Sequence, residues 1–265
     1  MSNSKLISCM LISPNRTSPR NHEIDTVTIH CMEGQLTAKE CINLSRFVIY
    51  DPKSGASCNY AVGKDGSIGI CVDEKDRSWC SSSSSNDHRA ITIEVASDKN
   101  DPYAVNDKAY EALIQLLVDI VQRNPGFGGS LRWTPNKADI GDTKVQNMTV
   151  HRWFANKSCP GDYLYYHMGE IANEVNRRLN AEVDVSPLPD SFTPVAPNPP
   201  IFEPYVVAIT ATSLNYRSGP GVSYPAKGQI SAPTKYTIVE ESADKKWGKL
   251  KSGAGWISLA YTKRA

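Results

Sequence analysis

The chain has 265 residues, 40% of them hydrophobic and 22% charged, with a formal net charge of +1. That composition is ordinary for a globular protein, and the charge balance gives no sign of a nucleic-acid binder at the level of the whole chain. The charge is uneven: from Tyr205 onward nine Lys and Arg face three Asp and Glu, so this part carries +6 and the remainder −5, which fits a small module that meets an anionic partner or a solvated lysine-rich surface.

In chain order, the N-terminal MSNSKLISCMLISPNRTSP holds only a short apolar patch broken by Ser, Cys and Pro. It lacks the apolar core of a secretory signal, and no stretch reaches the roughly 20 apolar residues of a membrane span, so synthesis in the cytoplasm without membrane insertion is expected. The seven cysteines all lie before residue 160; being odd in number and irregularly spaced, they fit a reducing compartment better than a disulfide framework.

TVTIH (26–30) is a β-branched run that sets Val27 and Ile29 on one face and Thr26, Thr28 and His30 on the other. In TAKECINLSRFVI, Thr37 followed three residues later by Glu40 is a capping-box signature, and the apolar residues beyond it predict a helix. CNYAVGKDGSIGICV predicts a hairpin around Lys64, Asp65 and Gly66. AITIEVA (90–96) predicts a strand, with Ile91, Ile93 and Val95 alternating with Thr92, Glu94 and Ala96.

NDKAYEALIQLLVDIVQRN (106–124) is the strongest helix signal, with a stripe of Ala109, Leu113, Leu116, Leu117 and Ile120, ended by Pro125-Gly126. A last helix starts near Pro160 and carries Leu164, Met168, Ile171, Val175 and Leu179. Strands alternating with amphipathic helices predict an α/β domain over residues 1–180, its sheet covered by helices. The proline-rich stretch 181–204 reads as a linker. Residues 205–265 break into short strand-like pieces separated by Gly, Pro and Ser, which predicts a small all-β barrel.

HRWFANKSCPG (151–161) sets a histidine and a cysteine eight positions apart. Zinc takes nitrogen and sulfur ligands and, in a catalytic site, keeps a position for water. His151, Cys159 and a distant histidine would make such a set, and His30, on the polar face of its strand, is the best third member. Cys31 beside it should point the other way. Cys159 sits just before a helix start, where the helix N-terminus favours a thiolate. Two other readings stay open: Cys159 as a small buried hydrophobe, or as a nucleophile with His151 as its base.

Glu94 lies mid-strand among β-branched residues, where a carboxylate needs a partner. If it shares the face of His30 it can serve as a general base; otherwise it is a surface residue or one half of an ion pair. Lys157, two residues before Cys159, can place an ammonium beside a developing oxyanion or can simply be a solvated loop lysine.

TVTIH, NYAVGKDGSI, ITIEVA and VHRWFANKSCPGDYL, in this order and spacing over about residues 20–180, resemble the type-2 N-acetylmuramoyl-L-alanine amidases. That family shares its fold with peptidoglycan-recognition proteins. The resemblance implies a mixed central β-sheet flanked by helices, and one zinc ion held by His30, His151 and Cys159. It also implies Glu94 as acid/base, Lys157 as transition-state stabiliser, and hydrolysis of the amide between N-acetylmuramic acid and L-alanine of peptidoglycan. The chain departs from the pattern at Cys31, where many relatives have a second histidine. Near the hairpin some relatives carry an assisting tyrosine; Cys58, Asn59 and Tyr60 stand there and take no role.

LNYRSGPGVSYPAKGQI followed by WGKLKSGAGWISLAYTK resembles the bacterial Src-homology-3 domains of cell-wall hydrolases. The resemblance implies anchoring to peptidoglycan, with Asn215, Arg217, Tyr224 and Trp247 as groove residues whose aromatics could equally be core. The whole arrangement resembles a phage endolysin of a Gram-positive host. A bacterial autolysin and a non-catalytic peptidoglycan binder are the alternatives.

Overall fold

The computed structural model describes residues 2–181, 205–222, 224–242 and 244–265. The chain divides into two compact units, Met1–Pro187 and Leu188–Ala265. Of the expected linker 181–204, all but Ala181 lies outside the described residues.

The first unit contains, in chain order, β1 (Cys9–Met10), β2 (Arg16–Thr17), β3 (Thr26–Cys31), α1 (Ala38–Ile42), α2 (Ser45–Val48), β4 (Tyr60–Val62), β5 (Ile68–Ile70), β6 (Arg77–Ser78), α3 (Ser84–Arg89), β7 (Ala90–Val95), α4 (Asp107–Arg123), β8 (Met148–Val150) and α5 (Gly161–Ala181). Six strands form one sheet in the order β1-β5-β4-β7-β3-β8, while β2 and β6 pair separately. Strands β4, β7, β3 and β8 run parallel, and the β4–β5 hairpin adds an antiparallel pair. Every residue of β3 and β7 is buried, as expected of parallel strands at the centre of a covered sheet.

The two faces are set by alternation. Register pairs Ile29 with Ile93 and with Val150, and Thr28 with Thr92 and with Thr149. One face is therefore apolar, and α4 and α5, packed on each other, cover it. Helix α4 starts at Asn106, whose side chain accepts from the Ala109 N–H, and buries Ala109, Leu113, Leu116, Leu117 and Ile120 as its stripe predicted. The other face carries polar groups. Thr28 Oγ1 and Thr149 Oγ1 lie 2.8 Å apart, and Asn86 of α3 donates to Thr28 Oγ1 at 2.9 Å. Ser78 and Thr92 hydroxyls bond at 2.7 Å. This face is covered by α3 and the loop before it.

The helix expected after Thr37 is two short ones. The capping box forms as predicted, but the run stops at Asn43, and Leu44 is extended at φ −62°, ψ 139° before α2 begins.

The second unit is a seven-stranded, wholly antiparallel sheet of β9 (Tyr205–Ile209), β10 (Leu214–Arg217), β11 (Ala226–Ile230), β12 (Lys235–Glu241), β13 (Trp247–Leu250), β14 (Trp256–Ser258) and β15 (Thr262–Arg264). Its order is β11-β10-β14-β13-β12-β9-β15, with β11 and β15 outermost. Val207, Ile209, Leu214, Ile238, Leu250 and Ile257 form its small core.

Candidate metal centre

The centre is assembled at the ends of two neighbouring strands. His30 is next to last in β3, on the polar face and 1% exposed. His151 directly follows β8 and opens a turn, His151–Trp153. Because Ile29 pairs with Val150, the two imidazoles meet with ring centroids 5.0 Å apart. Cys159 arrives from the far side of the same turn, just before α5, with its Sγ 3.4 Å from His30 Nδ1. The Arg152 N–H donates to Cys159 O at 3.0 Å, and the Arg152 guanidinium holds Asp162 at 3.1 Å, so the loop is fixed at both ends. Gly161 has φ +83°, and a Cβ there would lie 2.5 Å from Tyr103 Cβ. Only glycine lets the turn close on that ring.

The donor atoms of His30, His151 and Cys159 all lie within 4.8 Å of one another. Burial, and then the neighbouring His151, push the His30 pKa well below its ordinary value. His151 is lowered too, first by burial and then by the charge of Lys157. Both rings are therefore neutral and offer lone pairs. His30 Nε2 and Glu94 Oε2 are buried without a hydrogen-bond partner, a costly condition that a bound cation would relieve. Two imidazoles and one thiol suit zinc.

Glu94 stands directly opposite His30 in the β3–β7 register, so the two share the polar face. Burial raises its pKa to about 7 against the opposing pull of Arg46. Lys157 is exposed at the rim, near enough for its charge to act on His151.

One expectation is corrected. Cys159 does not have a lowered pKa: burial, and then the Cys31 thiol, raise it well above the usual value. Cys31 keeps the strand's alternation, opposite Val95, and belongs to the buried apolar cluster.

Sequence reasoning missed the loop Cys80–Ser83. Ser82 adopts φ +63°, a strained conformation for a residue with a side chain, and its Oγ lies 3.1 Å from His151 Nε2. The loop is held from below by the buried Asp87 carboxylate, which accepts the backbone N–H groups of Cys80 at 3.0 Å and Ser81 at 3.2 Å. Cys80 joins His30 and Glu94 in a second group of donors within 4.8 Å of one another.

In the second unit, Arg217 Nη1 donates to Tyr224 O at 2.8 Å, bringing those two expected residues together. Asn215 lies opposite Gln229, and Trp247 lies opposite Ser258. Trp256, absent from the expected set, is paired with both Arg217 and Lys249, with the Lys249 ammonium 5.7 Å from its ring.

Residues 20–162, which include His30, Glu94, His151, Lys157 and Cys159, match the protein family described as N-acetylmuramoyl-L-alanine amidase. Among solved structures, the chain is similar to a selenomethionine derivative of AmpD, at 18% identity over 66% of this chain and 95% of that one, with a TM-score of 0.46. It is also similar to the endolysin N-acetylmuramoyl-L-alanine amidase LysCS from Clostridium intestinale URNW (16% identity, 67% and 99% covered, TM-score 0.41). A third is the Ph2119 endolysin from Thermus scotoductus MAT2119 bacteriophage Ph2119 (15% identity, 60% and 89% covered, TM-score 0.41). No curated protein sequence matches the chain.

Proposed function

The chain belongs to the N-acetylmuramoyl-L-alanine amidase family, and on that premise we propose that it hydrolyses the bond between N-acetylmuramic acid and L-alanine of peptidoglycan at a zinc ion held by His30, His151 and Cys159. The observation that carries this reading is the convergence of three donors, two of them neutral imidazoles, beside a buried carboxylate with an unpartnered oxygen.

Zinc bound there supplies Lewis acidity, polarising the amide carbonyl and lowering the pKa of water. The protein does the rest. Glu94, with a pKa near 7, takes a proton from the attacking water at neutral pH and returns it to the leaving amine. The Lys157 ammonium stabilises the negative charge that grows on the carbonyl oxygen. Ser82 fixes the orientation of His151 through Nε2.

The second unit anchors the enzyme to the wall as a Src-homology-3-like module, with Arg217 and Tyr224 at the contact and Asn215 and Trp247 beside it. Its excess of Lys and Arg suits an anionic wall surface. We place the protein as a phage endolysin made in the cytoplasm of a Gram-positive host. Its seven unpaired cysteines fit that compartment, and among the described residues no helix is long and apolar enough to cross a membrane. An autolysin would use the same chemistry.

Metal analysis of the purified protein, with wall hydrolysis measured before and after chelation, tests the reading. One zinc per chain, with activity lost on chelation and regained with zinc, is expected. Hydrolysis that ignores the chelator but dies on thiol alkylation would instead make Cys159 a nucleophile. Zinc without hydrolysis would leave a peptidoglycan binder.

A further inference from the structure

Strand β3 lies between β8 and β7, so His30 has neighbours on both sides. On the β8 side stand His151 and Cys159. On the β7 side stands Glu94, and Cys80 of the preceding loop completes a second group with it and His30. His30 Nδ1 lies 3.4 Å from Cys159 Sγ, and Nε2 is buried without a hydrogen-bond partner.

Cys80 is suited to be a ligand. Its backbone is fixed by Asp87 through the 3.0 Å bond to its N–H, and Asp87 is itself only 2% exposed. Cys80 is partly exposed as a residue, while its thiol is buried beside the Glu94 carboxylate. Nothing in the hydrolytic reading uses it.

We propose that His30, Cys80 and Glu94 form a second site, for a soft divalent cation such as Zn2+ or Cd2+, and that filling it inhibits the enzyme. Imidazole, thiolate and carboxylate together favour such an ion over Mg2+ or Ca2+, which prefer all-oxygen sites. On binding, the Cys80 S–H bond and the remaining N–H bond of the zinc-loaded His30 break, sulfur and nitrogen keep their electron pairs for the metal, and both protons go to solvent. The ion also engages Glu94, which then cannot accept a proton from water. This consequence for activity rests on the hydrolytic reading of Glu94; the binding itself does not.

The experiment titrates the full-length protein, already loaded with one zinc, with further Zn2+ or Cd2+. Bound ions per chain, the thiolate-to-cadmium charge-transfer absorbance and wall hydrolysis are followed together, in the wild type, Cys80→Ser and Cys80→Ala. The wild type should take a second ion and lose at least about tenfold in rate as it does so. Both variants should keep the starting rate, bind one ion, and resist excess metal to at least about tenfold higher concentration. A wild type that stays at one ion and hydrolyses normally in excess metal overturns the second site and leaves the catalytic reading standing. Variants that still bind the second ion and are inhibited like the wild type overturn it as well. A wild type that binds no first ion sinks the zinc reading of the centre instead.

Discussion

The two faces of the six-stranded sheet are made from alternate residues of the same strands, yet they do different work. On one, Val27, Ile29, Ile91, Ile93, Val95, Met148 and Val150 are each 0% exposed and meet two long helices through contacts that have no direction. On the other, Thr28, Thr92 and Thr149 engage Asn59, Ser78 and Asn86 through directed hydrogen bonds. Those bonds fix α3 and, through Asp87, the loop that brings Ser82 to His151 and Cys80 to Glu94. The apolar face supplies stability that tolerates small rearrangement. The polar face supplies position, where a shift of one partner strands another.

That contrast can be broken at four points. The largest effect belongs to Glu94→Gln, which should lower wall hydrolysis by about 10²- to 10⁴-fold with zinc content unchanged; wild-type turnover would remove Glu94 from the mechanism. On the apolar side, Leu113→Ala in α4 should cost about 2–5 kcal/mol of unfolding free energy, read by denaturant titration. Zinc affinity and the rate per folded molecule should hold. A variant that lost zinc as readily as stability would show the two faces to be coupled.

The third is a pH effect. In the metal-free protein the folded state holds the Glu94 proton up to about pH 7, whereas the unfolded chain releases it near 4.5. Folded thus binds more protons than unfolded in that window. The contribution is fully present below 4.5 and lost as pH rises to 7. Glu94→Gln cannot ionise, so its advantage over the wild type should grow through that window to about 3 kcal/mol and stay level above it. A gap independent of pH would place the carboxylate in water. The smallest effect expected is that of Ser82→Ala, which should weaken zinc binding by about 10- to 100-fold with little change in unfolding; unchanged affinity would make the contact with His151 incidental.

Much of this was legible in the sequence because it depends on local pattern. Alternation in TVTIH and AITIEV sets His30 opposite Val27 and Ile29 and Glu94 opposite Ile91 and Ile93, and it is the parallel register that puts the two on one face as neighbours. Thr37 and Glu40 formed their capping box, and Asn106 to Arg123 became the long helix. What failed depended on depth or distance. No proline or glycine in INLSRF marks the break at Leu44, whose extended backbone ends the first short helix. The Cys159 thiol was judged by its helix, while its burial and its cysteine neighbour, set by the whole fold, decide its pKa. Ser82 sits in a run of serines that reads as low complexity, and its partner is 69 residues away. The expectation that Asn215, Arg217, Tyr224 and Trp247 line one groove rests on motif alone, and among the described residues only Arg217 and Tyr224 of the four are joined by a hydrogen bond.

The outermost strands of the second unit carry one more consequence. Among the described residues β11 and β15 each pair on one side only, which leaves on each a row of backbone N–H and C=O groups that another copy could zip onto. Lys227 lies on one, Lys263 and Arg264 on the other, all exposed. Two such borders brought together would set like charges face to face, so the unit is guarded against polymerising with itself. Replacing these cations by threonine or valine would leave the fold its core and take away its protection against fibre-like stacking.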